Sequence, residues 1–208
     1  MSASDFRGVV FSFFLPVFLV LSFSFLLCLS LDHGDVVIWL HRRHTISLNW
    51  FFRIWTHTGG GYFYCLAALF FLLRDKASFY LFLIVGAAQG LVSLLFKQVL
   101  FPDSMRPKKY FEHREVLDLI EGVELREYHS FPSGHTLTAF SIATYIALRF
   151  KSKVVSLFAM IAATFTGLSR VYLGQHFLID VLWGALMGTV ITTICFVAFE
   201  KKLDGSNG

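Results

Sequence analysis

Charge is scarce in this chain of 208 residues: Asp, Glu, Lys and Arg together make up 15% of it. A soluble domain carries about 25%, so an ordinary water-exposed surface over the whole molecule is excluded. The basic residues do not gather, and no run is longer than a pair such as Lys108-Lys109. A nucleic-acid face needs clustered Lys and Arg with aromatics among them, so nucleic acid is not an expected partner. The net charge of +4 reads instead as the positive bias of membrane loops. Cysteine is equally sparse. Cys28, Cys65 and Cys195 each sit inside an apolar run, lack metal-type spacing and read as small hydrophobes. There is no internal repeat and no low-complexity stretch. The N-terminal apolar run from Gly8 to Leu31 has no charge and no small-x-small cleavage site. It is longer than the about 7–15 residues of a signal peptide's core and reads as a retained first span.

What the chain has in excess is apolar surface. It is 56% hydrophobic with 25 phenylalanines, and its mean hydropathy is +0.65. A membrane helix needs about 20 mostly apolar residues. Segments of about that kind lie at 8–31, 54–73, 77–97, 133–149, 154–172 and 176–199. The expected fold is therefore all-α: a polytopic membrane protein with a six-helix bundle, forming one membrane-embedded domain over residues 1–208. Gly86, Gln89 and Gly90 suggest close helix packing in the third span. Trp39, Trp50 and Trp55 suit an interfacial belt. In the long connection between the third and fourth spans, Val116, Leu119, Ile120 and Val123 fall at i, i+3, i+4, i+7. That period predicts a short interfacial helix. Asp32-His33-Gly34-Asp35 reads as a solvated turn.

The short connections 74–76 and 149–153 are basic, which places the N-terminus inside by the positive-inside rule. The Arg42-Arg43 pair runs against that placement. With the N-terminus inside, both long connections face outward, which in a bacterium is the periplasmic side of the inner membrane.

The unusual polar residues all fall at that outer face. Lys97 ends the third span, Arg106-Pro107 follows, and Pro132-Ser133-Gly134-His135 opens the fourth. Ser169-Arg170 ends the fifth, and His176 and Asp180 open the sixth. An ionised group at bilayer depth costs about 2.5–3.5 kcal/mol on the lenient insertion scale. Several at one level point to a shared anionic ligand. His176 and Asp180, at i and i+4, share a helix face, so the carboxylate would take the Nδ1 proton and leave Nε2 as nucleophile or base. The bland alternative is a carboxylate that favours the helix dipole. Ser133 suits an N-cap, Gly134 would admit an oxyanion close to the main chain, and His135 would protonate a leaving oxygen. A plain helix cap is the competing reading. Lys97, Arg106 and Arg170 would bind phosphate oxygens, or would merely snorkel. His129, His135, His176 and Asp180 do not form a zinc pattern, since three cations adjoin them and no paired histidines or cysteines have ligand spacing.

Order and spacing together carry more than any single piece. Lys97…Arg106-Pro107, Pro132-Ser133-Gly134-His135 and Ser169-Arg170-x5-His176-x3-Asp180 resemble the three-part signature of the type 2 phosphatidic acid phosphatase superfamily, which also includes vanadium haloperoxidases. The spacer between Lys97 and Arg106 is longer than the family's usual one. Residues 32–53 and 110–128 lie outside the resemblance.

The resemblance implies a metal-independent hydrolase with no cofactor. His176 would attack phosphorus, Asp180 would orient it and His135 would protonate the leaving group. Lys97, Arg106, Ser133, Gly134 and Arg170 would hold the phosphoryl oxygens. The implied partners are membrane lipids and a lipid phosphate substrate: undecaprenyl diphosphate, a lipid A phosphate, phosphatidylglycerol phosphate or phosphatidic acid. A lipid phosphotransferase, a haloperoxidase and a non-enzymatic membrane protein are the competing readings.

Overall fold

A computed structural model of the chain describes residues 7–113, 117 and 120–205. The regular elements among the described residues are all helical. In chain order the main ones are α1 (Arg7–Ser30), α2 (Asp35–His41), α3 (Ile46–Trp55), α4 (Gly61–Arg74), α5 (Lys76–Leu100), α6 (Gly134–Phe150), α7 (Lys153–Tyr172) and α8 (Leu178–Gly205). Of these, α1, α5, α7 and the Leu178–Glu200 part of α8 are long and apolar enough to cross a membrane.

Helix boundaries follow local chemistry. Asp75 caps α5 by accepting from the Ala77 amide at 3.0 Å, and Thr45 caps α3 by accepting from the Leu48 amide at 3.3 Å. The expected span 54–73 is not one helix. The chain leaves α3 at Trp55, makes a 3-10 turn over Thr56–Gly59 and restarts as α4 at Gly61. A Cβ on Gly59 would overlap the His135 carbonyl and the Thr166 methyl. The break is therefore a close approach of backbone to the start of α6, which hydropathy averaging conceals.

The last span also starts later than expected, because His176 and Phe177 precede α8. The expected interfacial helix falls partly on Val116 and Leu119, which lie outside the described residues. Ile120 and Val123 form a turn, with the Val123 amide donating to the Ile120 carbonyl at 3.1 Å.

The bundle is organised around α6. It packs chiefly against α7 and α8, and Thr136, Ala139, Ala143, Thr144 and Ala147 on it are buried. Small residues let three helices approach closely where no hydrophobic drive acts between helices in lipid. On the α8 side, a Cβ on Gly188 would run into the Leu137 carbonyl. Gly86 of α5 likewise faces the Tyr64 ring, whereas Gly90 meets nothing within 4 Å. Only Gly86 of the two thus serves the expected packing. Some buried hydroxyls turn to their own backbone, as when Thr144 donates to the Phe140 carbonyl at 2.7 Å, while Ser141 reaches Gln89 on α5 and the Gly188 carbonyl on α8. Phe11, Phe18, Phe23, Leu66, Leu73, Leu91 and Leu94 point outward and are exposed, as side chains facing acyl tails should be.

Chain direction alternates from α5 to α8. The end of α5, the start of α6, the end of α7 and the start of α8 therefore share one face. At the opposite face Arg149 pairs with Asp75 at 3.3 Å.

Two single-methyl changes separate these packing roles. Gly188→Ala should lower stability in detergent by about 1–3 kcal/mol through overpacking, whereas Gly90→Ala should be neutral or stabilise by up to about 1 kcal/mol. Thermal unfolding of both variants checks this, and equal melting points would refute the close α6–α8 contact.

Candidate active site

His176 lies in the turn between α7 and α8 and is 2% exposed. Its two ring nitrogens meet opposite kinds of partner. Nε2 is 3.3 Å from a guanidinium nitrogen of Arg106, which can only donate. Nδ1 is 3.4 Å from Asp180 Oδ2 and 3.4 Å from Ser130 Oγ. The arrangement selects the tautomer with the proton on Nδ1 and the lone pair on Nε2, facing a cation.

Asp180 is held from several directions. Its Oδ2 accepts from the Ser130 hydroxyl at 2.6 Å and from the Phe177 amide at 2.9 Å. Its own carbonyl accepts from the Ser133 amide at 3.0 Å, which ties the start of α8 to the start of α6.

Arg106 is buried in the connection between α5 and α6, just ahead of the helical turn Pro107–Tyr110. Its Nε donates to the Tyr128 carbonyl at 2.9 Å and one terminal nitrogen to the His129 carbonyl at 3.2 Å. The other terminal nitrogen donates to the Gln175 carbonyl at 2.9 Å and to Gln175 Oε1 at 3.3 Å. Burial pulls the guanidinium down to about 10, with Arg126 pushing the same way and Asp180 opposing. It therefore remains charged at neutral pH.

Arg170, at the end of α7, is also buried and donates to the Thr56 hydroxyl. Among the described residues its Nε has no partner. A buried N–H without an acceptor costs about 1–3 kcal/mol, more when the group is charged, a cost that a bound anion would offset. Lys97 sits where α5 relaxes into a π turn over Phe96–Leu100, a feature common at functional sites. A Cβ on Gly134 would point at the Lys97 ammonium, 3.7 Å away. The bare Gly134 backbone therefore faces a cation, in the first turn of α6, where amide groups have no intrahelical acceptor. His135 lies within electrostatic reach of His176, Arg170 and Lys97.

All of the sequence-predicted residues thus come to one face of the bundle, though Ser133 does not present its hydroxyl there. Ser133 occupies the N-cap position of α6 without a side-chain cap bond. Its Oγ pairs with Thr136 Oγ1 at 2.9 Å, and its amide is taken by Asp180. Among the described residues no carboxylate pairs with Lys97, Arg106 or Arg170. The cup is cationic, with no paired carboxylate among the described residues to neutralise it.

Ser130, Gln175 and Thr56 are missed by sequence reasoning. Ser130 carries no pattern of its own. Gln175 could have been found as a polar residue beside His176 in an apolar stretch. Thr56 opens the run Thr-His-Thr-Gly-Gly-Gly, a polar break in an apolar span. The connection 32–53 also acquires a place. The His33 ring lies 4.0 Å from that of Phe177. His44 Nε2 is 3.0 Å from the Tyr172 carbonyl, and the Tyr172 hydroxyl donates to Asn49 at 2.7 Å. This connection braces both sides of the turn that holds His176.

The sequence model of the PAP2 superfamily matches residues 77–204. Lipid phosphate phosphatase 1 of Arabidopsis thaliana is 32% identical over 119 residues, 45% of this chain and 36% of that protein. Phosphatidylglycerophosphatase B of Bacillus subtilis is 42% identical over 83 residues, 36% of this chain and 40% of that protein. The matches thus span well under two thirds of either relative. Among solved structures, a transmembrane PAP2 type phosphatidylglycerolphosphate phosphatase from Bacillus subtilis superposes with a TM-score of 0.66 and 25% identity. That superposition covers 90% of this chain and 96% of the other.

A tetrahedral oxyanion should stabilise the folded protein through this cup. Orthovanadate at about 100 times its Kd should add about 2.7 kcal/mol, read as a rise in melting temperature. Arg170→Gln should weaken the ion's apparent affinity by about 10-fold or more. A wild-type protein that shows no shift would refute the anion cup.

Proposed function

The chain belongs to the PAP2 superfamily, and from that premise we propose that it is an integral-membrane lipid phosphatase working through a phosphohistidine. The observation that carries this is the orientation of His176: Nε2 faces Arg106, which can only donate, while Nδ1 faces Asp180 and Ser130. A nucleophile aimed at a guanidinium is aimed at whatever that guanidinium binds.

In the proposed reaction Arg106, Arg170, Lys97 and the first turn of α6 at Gly134 grip the non-bridging oxygens of a phosphoryl group. Ser133 supports that turn through Asp180 and Thr136 rather than through a free hydroxyl. His176 Nε2 forms a bond to phosphorus, and the P–O bond to the lipid breaks with its electron pair on the departing oxygen. His135 gives that oxygen a proton. The Nδ1 proton of the resulting phosphohistidine is held by Asp180, which balances the ring's gained positive charge. Water then attacks phosphorus as His135 takes its proton. Inorganic phosphate leaves, and His176 is restored. Phosphoryl transfer rests mostly on positioning and on charge stabilisation. Three cations provide that charge here, so no metal is required in any step.

The proposed architecture has six crossings. To the four long helices it adds α4, with 14 residues, and α6, with 17. At about 1.5 Å per residue both are shorter than the bilayer core. The partners of α6 surround it, so it need not match the lipid thickness. The site faces outward, on the periplasmic side of a bacterial inner membrane. The substrate class is a lipid phosphate monoester or diphosphate of the kinds that the signature implies.

Phosphate release from a panel of lipid mono- and diphosphates by the purified protein tests the reading. His176→Ala should reduce release by about 10³-fold or more, with the melting temperature reported alongside. His135→Ala should slow alkyl phosphates more than aryl phosphates, because only the former need a proton on the leaving oxygen. Activity should persist in excess EDTA. Loss of donor phosphate only when a lipid acceptor is added would instead reveal a phosphotransferase.

A further inference from the structure

Between Ile120 and Phe131 the chain runs beside the cationic cup and is pinned to Gln175 and Arg106 on both sides of Arg126. The Glu124 carbonyl accepts from the Gln175 side-chain amide at 2.6 Å. The Glu127 carbonyl accepts from the Arg106 amide at 2.7 Å, and the next two carbonyls take the Arg106 guanidinium. Arg126 is thus fixed by its neighbours at the rim, with its own side chain exposed.

The Arg126 charge acts on Lys97, Arg106 and Arg170 together. Two acids of this connection pair with lysines, Glu127 with Lys108 at 3.1 Å and Glu112 with Lys109 at 2.6 Å. Among the described residues no carboxylate pairs with Arg126. A fourth cation is therefore held near three others, with no paired carboxylate among the described residues. Lys97, Arg106 and Arg170 already suffice for one dianionic phosphoryl group, and none of them is exposed as Arg126 is. The additional charge sits on the exposed connection, outside the buried set.

We propose that Arg126 forms a second anion subsite at the rim and selects lipid diphosphates over lipid monophosphates. This rests on the phosphatase reading above and deepens it. The outer phosphoryl group lies in the cup against His176, and the inner phosphate lies against Arg126. When Nε2 bonds to the outer phosphorus, the bridging P–O bond breaks. Its electron pair stays on the bridging oxygen, and a lipid monophosphate departs. That added negative charge develops beside the Arg126 guanidinium, a planar donor suited to phosphate oxygens. A monophosphate substrate places only a neutral alkyl chain there and gains nothing from it.

The test uses farnesyl diphosphate and farnesyl monophosphate with the full-length protein in the same detergent. kcat and KM are measured for the wild type, Arg126→Gln and Arg126→Lys. Arg126→Gln should lower the diphosphate-to-monophosphate ratio of kcat/KM by about 10-fold, mainly through KM, and Arg126→Lys should recover part of it. An unchanged ratio, whether both substrates slow equally or neither does, overturns the subsite and shows at most a general field or a structural role. A wild type that hydrolyses the monophosphate but not the diphosphate overturns the subsite alone. A wild type that releases phosphate from neither overturns the phosphatase reading and the subsite with it.

Discussion

The Arg106 guanidinium is buried and oriented by main-chain carbonyls rather than by a carboxylate, and the chemistry of the site depends on that choice. Carbonyl dipoles fix the direction of the N–H groups but leave the net charge in place. An Asp or Glu partner would have given a more comfortable buried pair and a cup with little attraction for an anion. Arg170 follows the same rule, with the Thr56 hydroxyl as the acceptor. The result is a set of cations that are positioned but not neutralised. Electrostatic catalysis by preorganisation requires that state.

Like charges held together in a poorly solvated site weigh against folding, so stability has to come from elsewhere. It comes from α6 and the helices packed on it. Small residues along α6 and Gly188 on α8 allow backbone to approach backbone, and the Ser141 hydroxyl of α6 bonds across to Gln89 and the Gly188 carbonyl. The same rigid contact brings Ser133 to the Asp180 carbonyl and Gly59 to His135, so the element that stabilises the bundle also sets the register of the site. The connection 32–53 adds a second brace by packing His33, His44 and Asn49 against the ends of the turn that carries His176.

Much of this was readable from the residues. Apolar runs broken by charge predict membrane helices because lipid admits little else. Residues spaced along the chain at span ends must share a face when helices alternate in direction, which is why Lys97, Arg106, His135, Arg170, His176 and Asp180 were identifiable together. Residues 54–73 were misread as one helix because a hydropathy average cannot register the approach of another backbone. Ser133 had the right position for a cap but made a different bond, because Thr136 offered a nearer partner for its hydroxyl.

By itself the sequence determined that the protein is helical and membrane-embedded, and it named the charged and imidazole groups at one face, since these follow from composition and from order along the chain. Only the tertiary structure decided which nitrogen of His176 faces Arg106, that Ser130, Gln175 and Thr56 contact Asp180, Arg106 and Arg170, and that Arg126 lies exposed beside them. Those are contacts between segments far apart in the chain, such as Thr56 with Arg170 and Arg106 with Gln175. No local periodicity encodes such contacts; packing creates them.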